Sequence, residues 1–187
     1  MASIVINGDT SGGITLSAPA VAGSNTQTLV AATGTLAPLV SETAKSATGT
    51  SVDFTGIPSW VKRITVIFSG VSTSGTSGFG IRIGSSSGVE STGYQSTSVR
   101  TASSLATVTS TTEFNFASAL AADVISGSAS LSLIGASTWV IDGLVSWSSG
   151  VVMTAGSKTI TGTMSVVSVV ALGGSTFDAG TINILYE

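Results

Sequence analysis

The sequence predicts an all-β fold, an antiparallel β-sandwich of jelly-roll or related type with an extended N-terminal arm. Ser, Thr and Gly supply nearly half of the 187 residues, whereas strong helix formers are few. Wherever a hydrophobic period is visible it is two residues, as on a strand with one buried face. Clusters of Ser and Gly at residues 72–80, 84–93 and 173–180 separate these runs, as turns separate short strands.

The first fifty residues differ from the rest of the chain. Two short apolar runs, 4–6 and 14–16, flank Asn7 and Gly8, a pair that favours a tight turn, and together they predict a small hairpin. Residues 18–40 are rich in Ala, Thr and Gly and too weakly apolar to build a core of their own. We therefore expect them to form an extended arm that lies on another surface.

The predicted boundary follows from this difference. Residues 41–50 are expected to link the arm to the sandwich. Residues 1–50 are therefore predicted to be an arm and linker that supply attachment and oligomer contacts, and residues 51–187 a β-sandwich domain of about eight or nine short strands.

Alternation of apolar and polar residues predicts individual strands within the second part. Ile64, Val66 and Phe68 share one face, and the run 128–133 alternates Ser with Ala or Leu. The run 139–147 is apolar on both faces, as expected of a central or interface strand.

The C-terminal third continues the strand pattern. The alternation slips by one residue near Val166, which predicts a bulge. Residues 181–187 predict a closing strand. Its inward-facing residues are expected to be Ile182, Ile184 and Tyr186.

Charged residues are scarce. Six Lys and Arg stand beside nine Asp and Glu, so 8% of the residues are charged, against about 25% in a typical soluble chain. A surface this poor in charge is expected to be covered in an assembly. We therefore expect a homotrimer whose copies bury much of one another's surface.

Composition also bears on chemistry and partners. The chain has no His, the commonest general base, and no Cys, the thiol nucleophile. It therefore also lacks the usual ligands of zinc, copper and haem. We expect no enzyme activity, no cofactor and no metal site. Six scattered cations form no basic patch, so nucleic acid is not an expected partner. Ser, Thr and Gly interrupt every apolar stretch, so no membrane insertion is expected.

Carboxylates are the remaining candidates for catalysis, because a glycan hydrolase needs only two of them. No two lie near each other in the sequence, so we expect solvated or turn-capping groups and no catalytic residue. Asp142 is the exception, since its neighbours are apolar, and we expect it to be buried in a structural ion pair with Arg63, Arg82 or Arg100. The acidic residues considered were Asp53, Glu90, Glu113, Asp123, Asp142 and Asp178.

Aromatic residues allow two interpretations. They can pack in a core or an interface, which is the expectation for most aromatic side chains. They can also form a platform on which sugar rings stack. The residues in question are Trp60, Trp139, Trp147, Tyr94 and Tyr186.

Two segments resemble proteins of tailed bacteriophages. Residues 51–75, SVDFTGIPSWVKRITVIFSGVSTSG, resemble a segment found in small tail-fibre and virion appendage proteins. Residues 13–36, GITLSAPAVAGSNTQTLVAATGTL, are similar to the N-terminal segment of many phage fibre-like proteins. Together the two segments cover roughly a quarter of the chain. The resemblance implies a virion structural protein.

This resemblance and the composition lead to two functional expectations. The first is a short tail-fibre or baseplate appendage, attached by its arm to other virion proteins. Its loops 72–80 and 84–93 would present an adhesive face to a host-surface glycan or protein. The alternative is a capsid decoration or head-fibre protein that stabilises or coats the shell. Because no Lys or Arg precedes Lys45, no signal peptide is predicted, and we expect assembly into the virion in the host cytoplasm.

Overall fold

The structure, a computed structural model, describes residues 3–7, 13–17, 38–101, 105–116 and 120–187. The chain divides into two compact units, Met1–Leu36 and Ala37–Glu187. Strands make up 64% of the described residues, which contain no helix, and all strand pairs are antiparallel. The predicted all-β, antiparallel fold class is thereby confirmed.

The described residues form sixteen strands, two in the first unit and fourteen in the second. In chain order they are β1 (Ser3–Asn7), β2 (Gly13–Ser17), β3 (Val40–Ser41), β4 (Lys45–Ser46), β5 (Ser51–Thr55), β6 (Arg63–Thr73), β7 (Phe79–Ser85), β8 (Gly88–Val89), β9 (Tyr94–Arg100), β10 (Ala106–Ser110), β11 (Phe114–Phe116), β12 (Ile125–Leu133), β13 (Thr138–Trp147), β14 (Gly150–Thr159), β15 (Val166–Ala171) and β16 (Phe177–Tyr186).

The first unit contains a β-hairpin. Strands β1 and β2 pair antiparallel, with Ser3 opposite Ser17 and Asn7 opposite Gly13. The two runs predicted to pair do so. The turn that joins them and residues 18–37 of the predicted arm lie outside the described residues.

The second unit consists of two antiparallel sheets. The larger has nine strands in the order β10-β9-β14-β13-β12-β6-β16-β3, with β4 also pairing with β16. The smaller has five strands in the order β11-β7-β15-β5, with β8 also pairing with β7. The pairs β6–β16, β7–β15, β9–β14 and β12–β13 are nested, because each encloses the next along the chain.

One hydrophobic core lies between these sheets. The ring of Phe68 on the larger sheet lies 4.9 Å from that of Phe79 on the smaller sheet. Farther along, Tyr94 and Phe114 make a second contact between the sheets at 5.0 Å, edge to face. Aromatic pairs at these separations add to the stabilisation that burial of their apolar area provides.

Most of the strand predictions are confirmed. Ile64, Val66 and Phe68 all point into the core. Within 128–133, Ala129 and Leu131 are buried between more accessible serines. Strand β13 is central, between β12 and β14, as predicted for the apolar run 139–147. On the closing strand, the residues predicted to face inward are buried, namely Ile182, Ile184 and Tyr186.

The segment 41–50, predicted to be a linker, is part of the larger sheet. Tyr186 pairs with Val40 in β3, and Ile182 pairs with Lys45 in β4. Ala47 is fully buried in the core. The division between the two compact units therefore falls at Leu36 and Ala37 rather than after residue 50.

The slip in the pattern near Val166 is a loop rather than the predicted bulge, because β14 ends at Thr159 and β15 begins at Val166. The irregular pairing lies instead in β12 and β16. At the irregularity in β16, Gly180 has a φ of 98°, and a Cβ placed there would lie 2.4 Å from the carbonyl oxygen of Gly70. Only glycine fits at so close a backbone approach.

The connections between strands gather at two opposite ends of the second unit. At one end, which we call the Glu187 end, lie residues 56–62, 86–93, 134–137 and 160–165 together with the C-terminal Glu187. At the other, which we call the Trp147 end, lie residues 74–78, 148–149 and 172–176. Strand β7 runs from the Trp147 end to the Glu187 end, a length of roughly 20 Å at about 3.4 Å per residue.

Candidate functional site

A connected band of grooves opens at the Glu187 end. The most enclosed part is a cleft with a volume of about 160 Å³, lined among others by Ile57, Trp139 and Met164. The next groove shares Ile57 and Met164 and is walled by hydroxyl groups, including those of Ser86 and Thr161. These walls can form hydrogen bonds with a polar ligand.

An ion pair between a buried ammonium and a partly exposed carboxylate fixes the loops beside these grooves. The ammonium of Lys158, whose side chain is only 6% exposed, lies 2.5 Å from a carboxylate oxygen of Glu90. The other carboxylate oxygen of Glu90 accepts a hydrogen bond of 2.7 Å from the backbone N–H of Thr161. Strand β14 and the loops after β8 and β14 are therefore joined at one carboxylate.

Tyr94 completes this cluster. Its hydroxyl donates to the carbonyl of Glu90 at 2.9 Å and accepts from the N–H of Ile83 at 2.8 Å. The Lys158 ammonium also lies 5.4 Å from the centre of the Tyr94 ring, within cation–π distance. We call Glu90, Tyr94, Lys158 and Thr161 the Lys158 cluster.

The titration of the Lys158 cluster follows from its geometry. The hydrogen bond from Lys158, followed by that from the Thr161 N–H, holds the pKa of Glu90 below its ordinary value. Burial raises the pKa of the Tyr94 hydroxyl. Glu90 is therefore ionised and Tyr94 neutral at neutral pH, which suits a structural anchor.

A second buried carboxylate holds the smaller sheet near the same end. Glu113 is 3.1 Å from the guanidinium of Arg82 and accepts hydrogen bonds of 2.6 Å from the hydroxyls of Ser110 and Thr112. Burial by itself raises the pKa of Glu113, but the hydrogen bonds from Ser110, Thr112 and Arg82 outweigh it, and the net pKa is lowered.

The structure contradicts the prediction for Asp142. Its side chain is exposed on the outer face of β13 and makes no ion pair within the described part of the chain. The proposed partners lie elsewhere, because Arg63 pairs with Glu187, Arg82 pairs with Glu113, and the Arg100 guanidinium lies over the Trp147 ring. The prediction failed because the apolar neighbours of Asp142 lie on both faces of the strand: Ile141 is buried, whereas Leu144 is exposed on the outer face with Asp142.

The remaining acidic residues are held separately by hydroxyl or backbone groups. Asp53 accepts a hydrogen bond from Ser168 at 2.5 Å, and Asp178 accepts one from Ser72. Asp123 is buried and accepts a hydrogen bond from Ser148. Over the described ranges, no group of three or more acidic residues could hold a metal ion.

The five aromatic residues do not form one platform. Trp60 and Tyr186 pack together at 5.8 Å, and Trp60 is 40% exposed. Trp139 is buried and lines the cleft, while Tyr94 belongs to the core. Trp147 lies at the opposite end, where its indole N–H donates to the carbonyl of Thr101. Packing therefore accounts for most of these side chains.

The two loops predicted to form one adhesive face lie at opposite ends of β7. Residues 72–80 precede it at the Trp147 end, and residues 84–93 follow it at the Glu187 end. In addition, Ser72, Thr73 and Phe79 are buried. One ligand face cannot include both loops, so that prediction is wrong, and only the loop 84–93 borders the grooves.

Sequence reasoning did not identify the outer face of the larger sheet. One row of side chains crosses this face from β9 to β16, and each of its residues stands opposite the next on the neighbouring strand. A parallel row, two residues along each strand, contains Asp142 as its one charged residue. The first row consists of Val99, Met153, Leu144, Ser128, Ile67 and Asn183, and the second of Thr97, Ala155, Asp142, Ser130, Thr65 and Leu185. We call these two rows the outer face.

The outer face of the smaller sheet is different. There Asp53, Ser168 and Arg82 stand side by side on paired strands. This sheet carries an acid and a base in one row, whereas Leu144 and Met153 on the larger sheet are 57% and 48% exposed. If water covered both sheets equally, polar side chains would be favoured on both outer surfaces. The larger sheet departs from this expectation at Leu144 and Met153.

Comparison with known proteins gives no further assignment, since no protein-family model, curated protein or solved structure matches the chain. Among the residues that the structure describes, there is no helix of the length and apolarity needed to cross a membrane.

Proposed function

We propose that this chain is a bacteriophage virion structural protein, a short tail-fibre or baseplate appendage that works as a homotrimer. The observation that carries this proposal is the outer face of the larger sheet. From β9 to β16 it spans about 24 Å, at about 4.8 Å per strand, and its two rows contain one charge. Such a face suits burial in an assembly better than exposure to water.

Fold details are consistent with this class of subunit. The four nested strand pairs have the pairing order of a jelly roll, and we describe the second unit as a jelly-roll-like sandwich. It departs from the simplest jelly roll because the β12–β13 hairpin belongs to the larger sheet, between β14 and β6. This insertion widens the sheet and creates the middle of the outer face.

Attachment and adhesion are assigned to different parts of the chain. The segment before Ala37 is proposed to bind another virion protein, in agreement with the resemblance of residues 13–36 to phage fibre-like N-terminal segments. The grooves at the Glu187 end, bordered by the loop 84–93, are proposed to meet the host surface. Their hydroxyl-lined walls suit a glycan or another polar surface group.

Paired charge substitutions test the role of the outer face. Leu144→Lys with Met153→Lys places two ammonium groups on adjacent strands in the middle of the face. We expect the unaltered chain to assemble in multiples of three and this variant to remain folded but to lose every species that contains three copies or a multiple of three, measured by light scattering after size exclusion. Ile134→Lys is the matched control, because Ile134 is 66% exposed on a loop at the Glu187 end. A monomeric unaltered chain, or a double variant that still forms trimers, would contradict the proposal.

A further inference from the structure

One edge of the larger sheet is formed by β10, and it lacks the charges found at the other edges of the second unit. Free sheet edges pair with other strands unless charges, prolines or bulges prevent it. No charged residue and no proline occurs between residues 101 and 112. Within the described ranges, β10 pairs only with β9.

Each of the other sheet edges in the second unit carries charge. On the opposite edge of the same sheet, β4 contains Lys45. On the smaller sheet, β5 contains Asp53, and the Lys45 ammonium donates to the Asp53 carbonyl at 2.5 Å. At the other edge of that sheet, β11 directly follows Glu113. The uncharged edge of β10 is therefore a local exception.

The direction of the peptide groups on β10 follows from its partner strand. On β9, the N–H of Tyr94 donates to Thr111 on the β10 side, whereas the N–H of Thr101 donates to Val151 on the β14 side. Peptide groups alternate in direction along a strand, so the peptide group of Ser98 points toward β10, where Ser98 is opposite Val108. The N–H and C=O groups of the residues on either side of Val108 consequently point away from β9.

These residues are Thr107 and Thr109, and their arrangement is self-complementary. If two copies of β10 meet antiparallel about a two-fold axis at Val108, Thr107 of each copy stands opposite Thr109 of the other. The outward peptide groups then form two hydrogen-bonded pairs, and the threonines form the cross-strand pairs that sheets favour. Val108, 36% exposed, stands opposite Val108 of the second copy, and no like charges meet.

We propose that β10 pairs with β10 of a second copy of this chain in this register, joining two nine-stranded sheets into one continuous sheet. The contact is isologous, as expected of a two-fold interface. It uses the edge of the sheet, whereas the trimer proposed above uses the outer face. The two contacts therefore involve different surfaces and can fail separately.

A single introduced cysteine tests the register. The chain has no Cys, so Val108→Cys introduces the only thiol. At the centre of the proposed pair the two Cα atoms would be about 4.5 Å apart, within the range that a disulfide bridges. We expect mild oxidation to give a covalent dimer at least about tenfold faster than in the Ile134→Cys control, because pairing raises the local concentration of the two thiols.

A second substitution separates pairing from random collision. Thr109→Pro removes an outward N–H without removing a bond to β9, and proline is tolerated at such edge positions. In the Val108→Cys background it should abolish rapid dimer formation while the thermal unfolding transition remains. Equal crosslinking rates for Val108→Cys and Ile134→Cys would overturn the proposal, as would fast crosslinking that survives Thr109→Pro.

Charge exchange gives an independent test of the same register. Val108→Lys and Val108→Glu each place like charges opposite one another in the proposed pair, so each variant alone should lose the two-fold contact. In the Leu144→Lys, Met153→Lys background, which removes the proposed three-fold contact, a mixture of the two should recover the two-fold contact as a heterodimer, measured by sedimentation velocity. Failure of the mixture to associate, with both variants folded, would contradict the pairing about Val108.

Discussion

Leu144 and Met153 stand directly opposite each other on β13 and β14, and both point away from the core. With 57% and 48% exposure, they form the most exposed apolar pair on the outer face. On the core side of the same strands, Val145 pairs with Val152, and both are buried. At this level β13 therefore carries an apolar side chain on each face, and the two faces have different partners: the core on one side and, in our proposal, another subunit on the other.

The first prediction concerns the buried ammonium of Lys158. Glu90→Gln leaves this ammonium without its carboxylate, and we expect the free energy of unfolding to fall by about 2–3 kcal/mol, less than for fully buried pairs because Glu90 is partly exposed. Urea unfolding measures the change. The control is Glu187→Gln, which breaks the exposed pair with Arg63 and should cost less than about 1 kcal/mol.

The same ion pair allows a second test, in which the loss of one charge is compared with the loss of both. Glu90→Gln combined with Lys158→Met removes both charges, so it should destabilise the chain less than Glu90→Gln alone. If the double variant is the less stable of the two, the cost does not come from an unpaired ammonium, and our account of the Lys158 cluster is wrong.

The second prediction concerns pH. Because the pKa values of Glu90 and Glu113 are lowered in the folded protein, protonation favours the unfolded state. Their contribution to stability is complete above the ordinary carboxyl pKa of 4.5 and is lost as pH falls through the lowered values. Urea unfolding over a series of acidic pH values should show this loss. The loss of stability should be smaller in the Glu90→Gln, Lys158→Met double variant. Equal pH dependence in this variant and the unaltered chain would show that Glu90 does not contribute to the loss.

The third prediction concerns the close backbone approach at Gly180. Gly180→Ala forces a Cβ to within 2.5 Å of backbone atoms of Gly70 and Val71 at a positive φ. We expect a loss of about 3 kcal/mol or more in the free energy of unfolding. Gly174→Ala is the control, because Gly174 also has a positive φ but nothing within 4 Å. It should lose only about 1 kcal/mol, and equal losses would refute the clash.

The fourth prediction concerns Asp142. Since the side chain is exposed and makes no ion pair with a described residue, Asp142→Asn should change the free energy of unfolding by no more than about 0.5 kcal/mol. Glu113→Gln, which disturbs a buried carboxylate with three partners, should cost clearly more. Thermal unfolding of both variants gives the comparison, and a large loss in Asp142→Asn would restore the burial that the sequence suggested.

Local alternation made part of this fold predictable. The inward positions of Ile182, Ile184 and Tyr186 follow from the period of two, because a strand with one buried face needs no information from distant residues. The β1–β2 pairing was also predictable locally, because two short apolar runs, 4–6 and 14–16, lie close together in the chain.

Features that depend on distant pairing were not predictable. Burial of Lys158 depends on Glu90, which lies on another part of the chain and reaches it only after β14 and β9 have paired. The separation of the two predicted loops depends on the direction of β7. Asp142 was misplaced because the sequence cannot distinguish an apolar face that meets the core from one that meets solvent or another subunit.

The proposed attachment segment has its own consequence. A chain that lacks residues 1–36 retains every strand of the second unit. We expect it to fold with an unchanged thermal transition and to be missing from assembled particles. Incorporation of the truncated chain at the normal level would show that attachment resides in the second unit instead.

The most direct test of the proposed virion function is a count of this chain in purified virions from its source, by quantitative mass spectrometry relative to the major capsid protein. The account predicts a few trimers per particle, a small fraction of the capsid subunits. A ratio near one per capsid subunit, or a simple lattice fraction of it, would replace the tail appendage with capsid decoration. Absence of the chain from the particles would contradict the virion assignment.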